Sequence, residues 1–196
     1  VYMQNSGLGN AVNPLTSLTD KDAYGIPLLL IIGWRGEPTT TDEPQHVKMG
    51  KITLPLLDVL EISYEILPST IESAKSSLDR LFEIMARKHM PCALIIRKDT
   101  FEKYSAPKIA EDNYELSREQ AIRLLIENLD ENTAVISTTG MASRELFELR
   151  MHANHQHNKD FLTIGSMGHA SHIALGIALS KPLQQVCCID GDGAIL

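Results

Sequence analysis

Three short glycine-containing segments near the end of the chain have the residue types that bind a diphosphate and a divalent cation. Each follows an apolar run that predicts a buried strand: residues 138–140 (Thr-Thr-Gly), 165–168 (Gly-Ser-Met-Gly) and 191–193 (Gly-Asp-Gly). In an open α/β sheet, ligands bind at the carboxyl ends of the strands. Glycine lets a phosphate approach the backbone closely, and a carboxylate suits a divalent cation. We therefore predict that the three segments meet at one metal-diphosphate site.

A purely structural interpretation of these segments is the alternative. Connections in α/β folds contain glycines for conformational reasons, so a lone Gly-Asp-Gly is weak evidence. Three such turns within residues 138–193 are harder to explain that way. A nicotinamide dinucleotide domain is disfavoured, because the chain lacks Gly-x-Gly-x-x-Gly followed by an acidic residue at the ribose distance.

Composition predicts an α/β protein. Of 196 residues 43% are hydrophobic, yet only four Phe, five Tyr and one Trp are present, which is typical of aliphatic cores in helix-covered parallel sheets. A net charge of −7 without a basic cluster argues against a nucleic-acid partner. Three cysteines and the lack of a signal-peptide pattern predict a cytoplasmic location. The longest apolar stretch, residues 26–33, is too short to cross a membrane.

Hydrophobic periodicity and turn residues predict two successive α/β regions. The expected strands are residues 26–32, 62–66, 93–96, 134–136, 161–164 and 186–190. The expected helices are residues 53–60, 69–88, 117–129, 143–151 and 168–179. Ser69 with Glu72, and Ser117 with Gln120, are expected to begin two of these helices. Residues 34–45 are predicted to form a long loop after a central strand.

Residues 98–116 are polar, carry many charges and lack an apolar period, which predicts a linker. The predicted domains are therefore residues 1–97 and 117–196.

The glycine-containing segments resemble those of thiamine diphosphate enzymes. Residues 191–193 look like the start of the family's metal-binding signature, which implies that Asp192 binds Mg²⁺. Residues 165–169 (Gly-Ser-Met-Gly-His) are similar to the turn whose apolar residue, here Met167, supports the bent cofactor. Residues 5–10 (Asn-Ser-Gly-Leu-Gly-Asn) resemble the Gly-x-Gly-x-x-Asn turn of the pyrimidine-binding domain, with Asn10 or Asn13 as the Asn.

Residues 32–38, 42–46 and 165–178 narrow this resemblance to phosphonopyruvate decarboxylases, with sulfopyruvate decarboxylases as close relatives. The resemblance implies nonoxidative decarboxylation of 3-phosphonopyruvate to phosphonoacetaldehyde and CO2, with thiamine diphosphate and Mg²⁺ as cofactors. It also implies two parallel-sheet domains flanked by helices: residues 1–97 as the C-terminal part of the pyrimidine-binding domain, and residues 117–196 as the N-terminal part of the diphosphate-binding domain. A homo-oligomer with the cofactor between subunits, and a small 2-oxo acid substrate, are the expected partners.

The resemblance assigns most site residues to the cofactor. These are Gly7, Gly9, Asn10, Thr138, Thr139, Gly140, Gly165, Ser166, Met167, Gly168, Gly191, Asp192, Gly193 and Ala194. His169, directly after the Met167 turn, is a candidate acid or base. Arg35 and His46, on the predicted loop, are candidate contacts of the phosphonate, with a solvated surface loop as the alternative.

Two family residues have no counterpart in this sequence. An activating Glu is expected before residues 5–10 but is absent from residues 1–4, and a further Asn ligand is expected well after residue 193. We therefore expect both domains to be incomplete and these 196 residues alone to be inactive. The alternative functions are sulfopyruvate decarboxylation, and a noncatalytic fragment or subunit that acts by association.

Overall fold

A computed structural model describes residues 1–105 and 114–195. The chain forms two compact units, Val1–Ala106 and Pro107–Leu196. The boundary falls within the predicted linker, of which residues 106–113 lie outside the described residues.

The first unit alternates strands and helices. In chain order its elements are β1 (Tyr2–Gln4), α1 (Asn5–Pro14), a π-helical segment (Leu15–Thr19), β2 (Leu29–Gly33), α2 (Pro44–Val59), β3 (Ser63–Ile66), α3 (Ile71–Lys88) and β4 (Cys92–Ile96). The strands form one parallel sheet in the order β1-β2-β4-β3. Every residue of β4 is buried, as expected for a central strand with both faces covered.

Helices cover both faces of this sheet. On one face, Leu30, Ile32 and Ile95 pack with Leu8 of α1 and Leu57 of α2. On the other face, aliphatic side chains of β2 and β4 pack against Leu78, Leu81, Ile84 and Met85 of α3. The spacing of these α3 residues is the helical period that the sequence predicts.

The second unit contains a smaller parallel sheet. Its elements are α4 (Arg118–Glu127), β5 (Ala134–Ser137), α5 (Met141–His152), β6 (Asp160–Leu162), α6 (Ala170–Ser180), β7 (Val186–Ile189) and the short α7 (Asp192–Ile195). The strand order is β6-β5-β7, and both pairs are parallel. Ile122, Val135 and Leu146 belong to the core on the side of α4 and α5, whereas Ile136 packs with Ala170 and Ala174 of α6 on the opposite face.

The predicted α/β class with parallel sheets is confirmed. The predicted N-cap of α4, Ser117, is also confirmed, and with Gln120 it forms a capping box: Gln120 N donates to Ser117 Oγ at 3.2 Å, and Ser117 N donates to Gln120 Oε1 at 2.8 Å. None of the helices within the described ranges combines the length and apolar character needed to cross a membrane.

Three local predictions in the first unit are corrected. Residues 5–10 are helical rather than a turn, since they form the first part of α1. α2 begins at Pro44, nine residues before the predicted start at residue 53, so His46 lies in its first turn and not in the preceding loop. The N-cap of α3 is Thr70 rather than Ser69: Ser73 N donates to Thr70 Oγ1 at 3.3 Å.

Candidate functional site

The three glycine-containing segments of the second unit leave the same edge of its sheet. Because β5, β6 and β7 are parallel, residues 138–140, 163–169 and 190–193 all follow carboxyl ends of strands. Thr138 N donates to Ile189 O at 2.8 Å, which joins the ends of β5 and β7. A Cβ placed on Gly191 would lie 4.0 Å from Thr138 Cγ2. The structure therefore brings the first and third segments into contact.

The Met167 segment contacts α7. A Cβ on Gly193 would lie 4.0 Å from Met167 Sδ, and a Cβ on Gly168 would lie 3.4 Å from Ala194 O. Gly168 has a φ of 91°, and Ser166, two residues earlier, has a positive φ of 59°. This backbone conformation is uncommon for a residue with a side chain and occurs often at ligand sites. All three predicted segments thus form one cluster.

Two helices begin at this cluster without a side-chain cap. α5 starts after Gly140, whose φ is 100°, and α6 starts after His169; in neither helix does a first-turn amide donate a hydrogen bond to the side chain of the cap residue. The amide groups of an uncapped first helical turn are available donors and carry the positive end of the helix dipole. α4, in contrast, is closed by its capping box. The cluster therefore offers N–H donors suited to a diphosphate.

Two carboxylates follow β7. Asp192 is exposed at the start of α7, so its carboxylate is accessible to a metal ion from solvent. The Oδ1 atom of Asp190 accepts from Gly191 N at 3.0 Å, whereas its Oδ2 atom is buried without a hydrogen-bond partner among the described residues. Both residues line a cleft of about 450 Å³ together with Thr138 and Thr139. An unpartnered buried carboxylate oxygen is costly, so it indicates a position for a donor or a cation.

The described residues contain no group of three or more His, Cys, Asp or Glu side chains that could hold a metal. A protein-only metal cage is therefore absent from the described part of the chain. Mg²⁺ commonly binds through one or two carboxylates together with phosphate oxygens. Asp192 fits that second arrangement.

His169 is held by the residue that precedes Met167. Its Nδ1 atom lies 3.1 Å from Ser166 Oγ and 3.2 Å from the Ser166 carbonyl oxygen. If the hydroxyl donates, the other ring nitrogen, Nε2, carries the proton; if Nδ1 donates to the carbonyl, Nε2 is an acceptor. Either arrangement fixes the ring beside the cofactor candidates.

The corresponding edge of the first unit holds the remaining predicted residues. Gly7, Gly9 and Asn10 lie on α1; Gly9 and Asn10 are exposed. The side chain of Asn5, fully buried, donates from Nδ2 to Arg35 O at 2.8 Å and to Thr53 Oγ1 at 2.9 Å. It ties α1 and α2 to the segment after β2.

The two substrate candidates differ in their surroundings. Arg35 lines a cleft of about 620 Å³ at the ends of β1, β2 and β4, and its guanidinium donates to both carboxylate oxygens of Asp42 at 2.8 and 2.5 Å. His46, in α2, is not among the residues that line this cleft. Its backbone instead packs closely on Gly36, where a Cβ would lie 2.1 Å from His46 O.

The structure adds three charged residues that the sequence interpretation missed. Asp190 precedes Gly191 directly, while Arg97 and Lys98 directly follow β4 and line the cleft of the first unit. The signal that would have found them is the one used for the glycine segments, namely polar residues immediately after a buried parallel strand.

Comparison with known families relates this fold and site to thiamine diphosphate enzymes. Residues 137–196 match the family described as "Thiamine pyrophosphate enzyme, C-terminal TPP binding domain". This range contains all three clustered segments. The predicted relation of the second unit to this class is confirmed.

Individual relatives extend the similarity across the chain. This chain is 35% identical to a phosphonopyruvate decarboxylase of Streptomyces viridochromogenes, over 98% of the chain and 50% of that protein. It is also 38% identical to a sulfopyruvate decarboxylase subunit alpha of Methanothermobacter thermautotrophicus (49% of the chain, 56% of the relative) and 39% identical to a subunit beta of Methanocaldococcus jannaschii (38% and 37%). The predicted resemblance to phosphonopyruvate decarboxylases is confirmed. The chain spans about half the length of the phosphonopyruvate decarboxylase that it matches.

Proposed function

We propose that this protein takes part in the thiamine diphosphate- and Mg²⁺-dependent decarboxylation of 3-phosphonopyruvate to phosphonoacetaldehyde and CO2. The observation that carries the proposal is 35% identity to a phosphonopyruvate decarboxylase over 98% of the chain. The cluster at the edge of the β6-β5-β7 sheet agrees with it.

The residues of this cluster fit the proposed cofactors. Asp192 supplies an exposed carboxylate for Mg²⁺, and the buried Asp190 Oδ2 is an acceptor without a partner in the described part of the chain. The uncapped N-termini of α5 and α6 supply donors for diphosphate oxygens. Both features are explained if an anion and its cation bind together at this edge.

The chain's own residues would mainly bind and orient the cofactor and the metal ion. Asp192 would hold the cation, while the backbone of residues 139–140 and 166–168 would contact the diphosphate. Met167, 64% exposed beside Gly193, would support the cofactor. His169, fixed by Ser166, would give or accept a proton at Nε2. Thiamine diphosphate, when bound, supplies the electron sink that decarboxylation requires.

A direct assay tests the proposal. The full-length protein is mixed with thiamine diphosphate, Mg²⁺ and 3-phosphonopyruvate, and ³¹P NMR follows substrate and phosphonoacetaldehyde while released CO2 is trapped. We expect equimolar aldehyde and CO2 that depend on both cofactors. Lack of turnover by protein that binds thiamine diphosphate would contradict the proposed reaction.

Similarity to both subunits of sulfopyruvate decarboxylases favours a second candidate, decarboxylation of sulfopyruvate. Comparing kcat/KM for phosphonopyruvate, sulfopyruvate and pyruvate in one protein preparation ranks the substrates. The remaining alternative is a noncatalytic subunit; it predicts binding to a partner chain without turnover of any of the three acids.

We further infer an oligomeric assembly, proposed as a homo-oligomer with the cofactor between subunits. The names of the sulfopyruvate relatives state that they are subunits. Leu175 and Leu179 of α6 are 55% and 73% exposed, and contiguous exposed apolar side chains often mark interfaces. Sedimentation velocity with and without thiamine diphosphate and Mg²⁺ measures the assembly, and a monomer under both conditions would contradict it. A cytoplasmic location stays a prediction.

A further inference from the structure

The cleft of the first unit lies where a parallel sheet binds its ligands. It is about 620 Å³ in volume and is lined by residues at or directly after the carboxyl ends of three strands: Gln4 of β1, Trp34 and Arg35 after β2, and Arg97 and Lys98 after β4. Position alone makes it a candidate binding cleft.

The lining of this cleft carries more cations than anions. Arg35 is paired with Asp42, and Arg97 is paired with the buried Glu37. Lys98 has no hydrogen bond or ion pair with any described residue. The residues that line the cleft include three cations, Arg35, Arg97 and Lys98, and one anion, Asp42, although the whole chain has a net charge of −7. Glu43 is a further acid that interacts electrostatically with Arg35. The lining of the cleft is therefore cationic in an acidic protein.

The first arginine is rigidly oriented. Asp42 accepts hydrogen bonds from Gly36 N at 2.7 Å and Glu43 N at 2.8 Å in addition to those from Arg35. The hydrogen bonds from Arg35 hold the pKa of the Asp42 carboxyl well below its usual range, so this acid stays ionised. Arg35 uses its Nε and Nη2 atoms in this pair, which leaves Nη1 as a further donor.

The second arginine is held in the same way. The Nε and Nη2 atoms of Arg97 both donate to one oxygen of Glu37, and Nη1 makes no hydrogen bond with the described residues. Glu37 is 7% exposed, so a buried carboxylate holds the guanidinium of Arg97 in place. Thr41, with a hydroxyl donor, also lines the cleft.

Resting on the proposed function, we propose that this cleft binds the tetrahedral oxyanion of the substrate, with Lys98 as its main cation and Arg97 and Arg35 as oriented donors. A lysine ammonium binds phosphonate oxygens as a point charge, whereas arginines add directional hydrogen bonds. A phosphonate and a sulfonate share this tetrahedral chemistry. The phosphonate carries more negative charge near neutral pH, so it depends more strongly on Lys98.

A binding experiment without turnover tests the cleft. Trp34 is the chain's single tryptophan and lines the cleft, so its fluorescence reports occupancy. Phosphonoacetate, sulfoacetate and acetate are titrated into the protein, and calorimetry provides the dissociation constants. We expect saturable binding in the order phosphonoacetate, sulfoacetate, acetate. Lys98→Ala weakens phosphonoacetate binding roughly tenfold and sulfoacetate binding less.

Lys75→Ala is the matched control, because Lys75 is an exposed lysine of α3 that does not line the cleft. Lys98→Arg is expected to retain most of the binding, which separates lost charge from lost folding. Unchanged phosphonoacetate affinity in folded Lys98→Ala, an equal loss in Lys75→Ala, or equal affinities for phosphonoacetate and acetate would each overturn the proposal.

The same variants separate this proposal from the proposed reaction. In the decarboxylase assay, Lys98→Ala raises the KM for phosphonopyruvate roughly tenfold with little change in kcat, as expected for a group that binds ground state and transition state alike. Turnover by Lys98→Ala with an unchanged KM would contradict substrate binding in the cleft but would agree with the proposed decarboxylation. Lys98-dependent binding without turnover would contradict the proposed decarboxylation but would agree with anion binding in the cleft.

Discussion

The two units use the same architecture at their ligand-binding edges and give them opposite electrostatic character. In the cleft of the first unit, the acids Asp42 and Glu37 are already paired with arginines, whereas the cation Lys98 has no ion-pair partner among the described residues. At the edge of the second unit, Asp192 is exposed, and one carboxylate oxygen of Asp190 has no hydrogen-bond partner among the described residues. A parallel sheet thus supplies the place for a ligand, while the residues after each strand select its charge.

The units also differ in how closely their backbones approach. In the first unit, Gly36 and Gly50 bring the segment after β2 against α2, and Trp34 Nε1 donates to Gly50 O at 2.8 Å. In the second unit, Gly140 and Gly176 have open space at their Cβ positions. At the first edge, the missing side chains of the glycines allow two backbone segments to pack closely. At the second edge, Gly140 allows a backbone conformation that is unfavourable for other residues, since its φ is 100°.

Gly50→Ala is expected to have the largest effect. Its Cβ would lie 1.7 Å from Gly36 O, a backbone atom that cannot move without displacing the cleft loop. We expect a loss of at least about 3 kcal/mol in the free energy of unfolding. Urea denaturation followed by Trp34 fluorescence measures it. The matched change Gly176→Ala, inside α6, should instead stabilise by up to about 1 kcal/mol by circular dichroism. Equal changes in the free energy of unfolding for Gly50→Ala and Gly176→Ala would contradict the different roles of glycine in the two units.

Asp192→Asn tests the anionic edge of the second unit. Loss of a carboxylate ligand should weaken Mg²⁺-dependent binding of thiamine diphosphate at least about 100-fold, measured by calorimetry. Because Asp192 is exposed, the thermal unfolding temperature should hardly change. Asp79→Asn, at an exposed position of α3, is the control. Equal cofactor affinity in the two variants would show that this edge does not hold the metal.

Asp42→Asn tests the fixed pair of the first unit. Hydrogen bonds to a charged partner are lost, so we expect a destabilisation of about 1–3 kcal/mol at pH 7. The folded-state pKa of Asp42 is depressed, so its stabilisation is complete above the unfolded pKa of about 3.9 and is lost as pH falls further. The unfolding curves of the wild type and the variant should therefore converge below about pH 4. A constant difference across that range would contradict the ion-pair explanation.

The smallest predicted effects concern helix caps. Ser117→Ala removes a cap with two reciprocal bonds from α4 and should cost about 1 kcal/mol, whereas Thr70→Ala removes a single 3.3 Å bond from α3 and should cost less. Thermal unfolding of both variants measures the order. The reverse order would show that cap geometry does not decide helix stability here.

Sequence patterns predicted the second unit better than the first. Each of its strands is an apolar run followed by a glycine-containing segment, and Ser117 with Gln120 marks the start of α4 unambiguously. In the first unit, α2 contains Pro55, Gly50 and Thr53, which lower helix propensity, and the helix persists because Leu57 and Thr53 are fully buried. α1 contains two glycines and two asparagines within ten residues, yet buried Leu8 and Asn5 hold it in place.

The sequence by itself determined the alternation of strands and helices and the clustered segments of the second unit, because these depend on local periodicity and on residues adjacent to strands. Only the tertiary structure decided which charges remain unpaired. Arg97 and Glu37 are 60 positions apart, and their pairing depends on β4 lying beside β2. The same folding leaves Lys98 and Asp190 Oδ2 without partners among the residues that the structure describes, since burial and long-range neighbours, rather than residue type, determine whether a charge is satisfied.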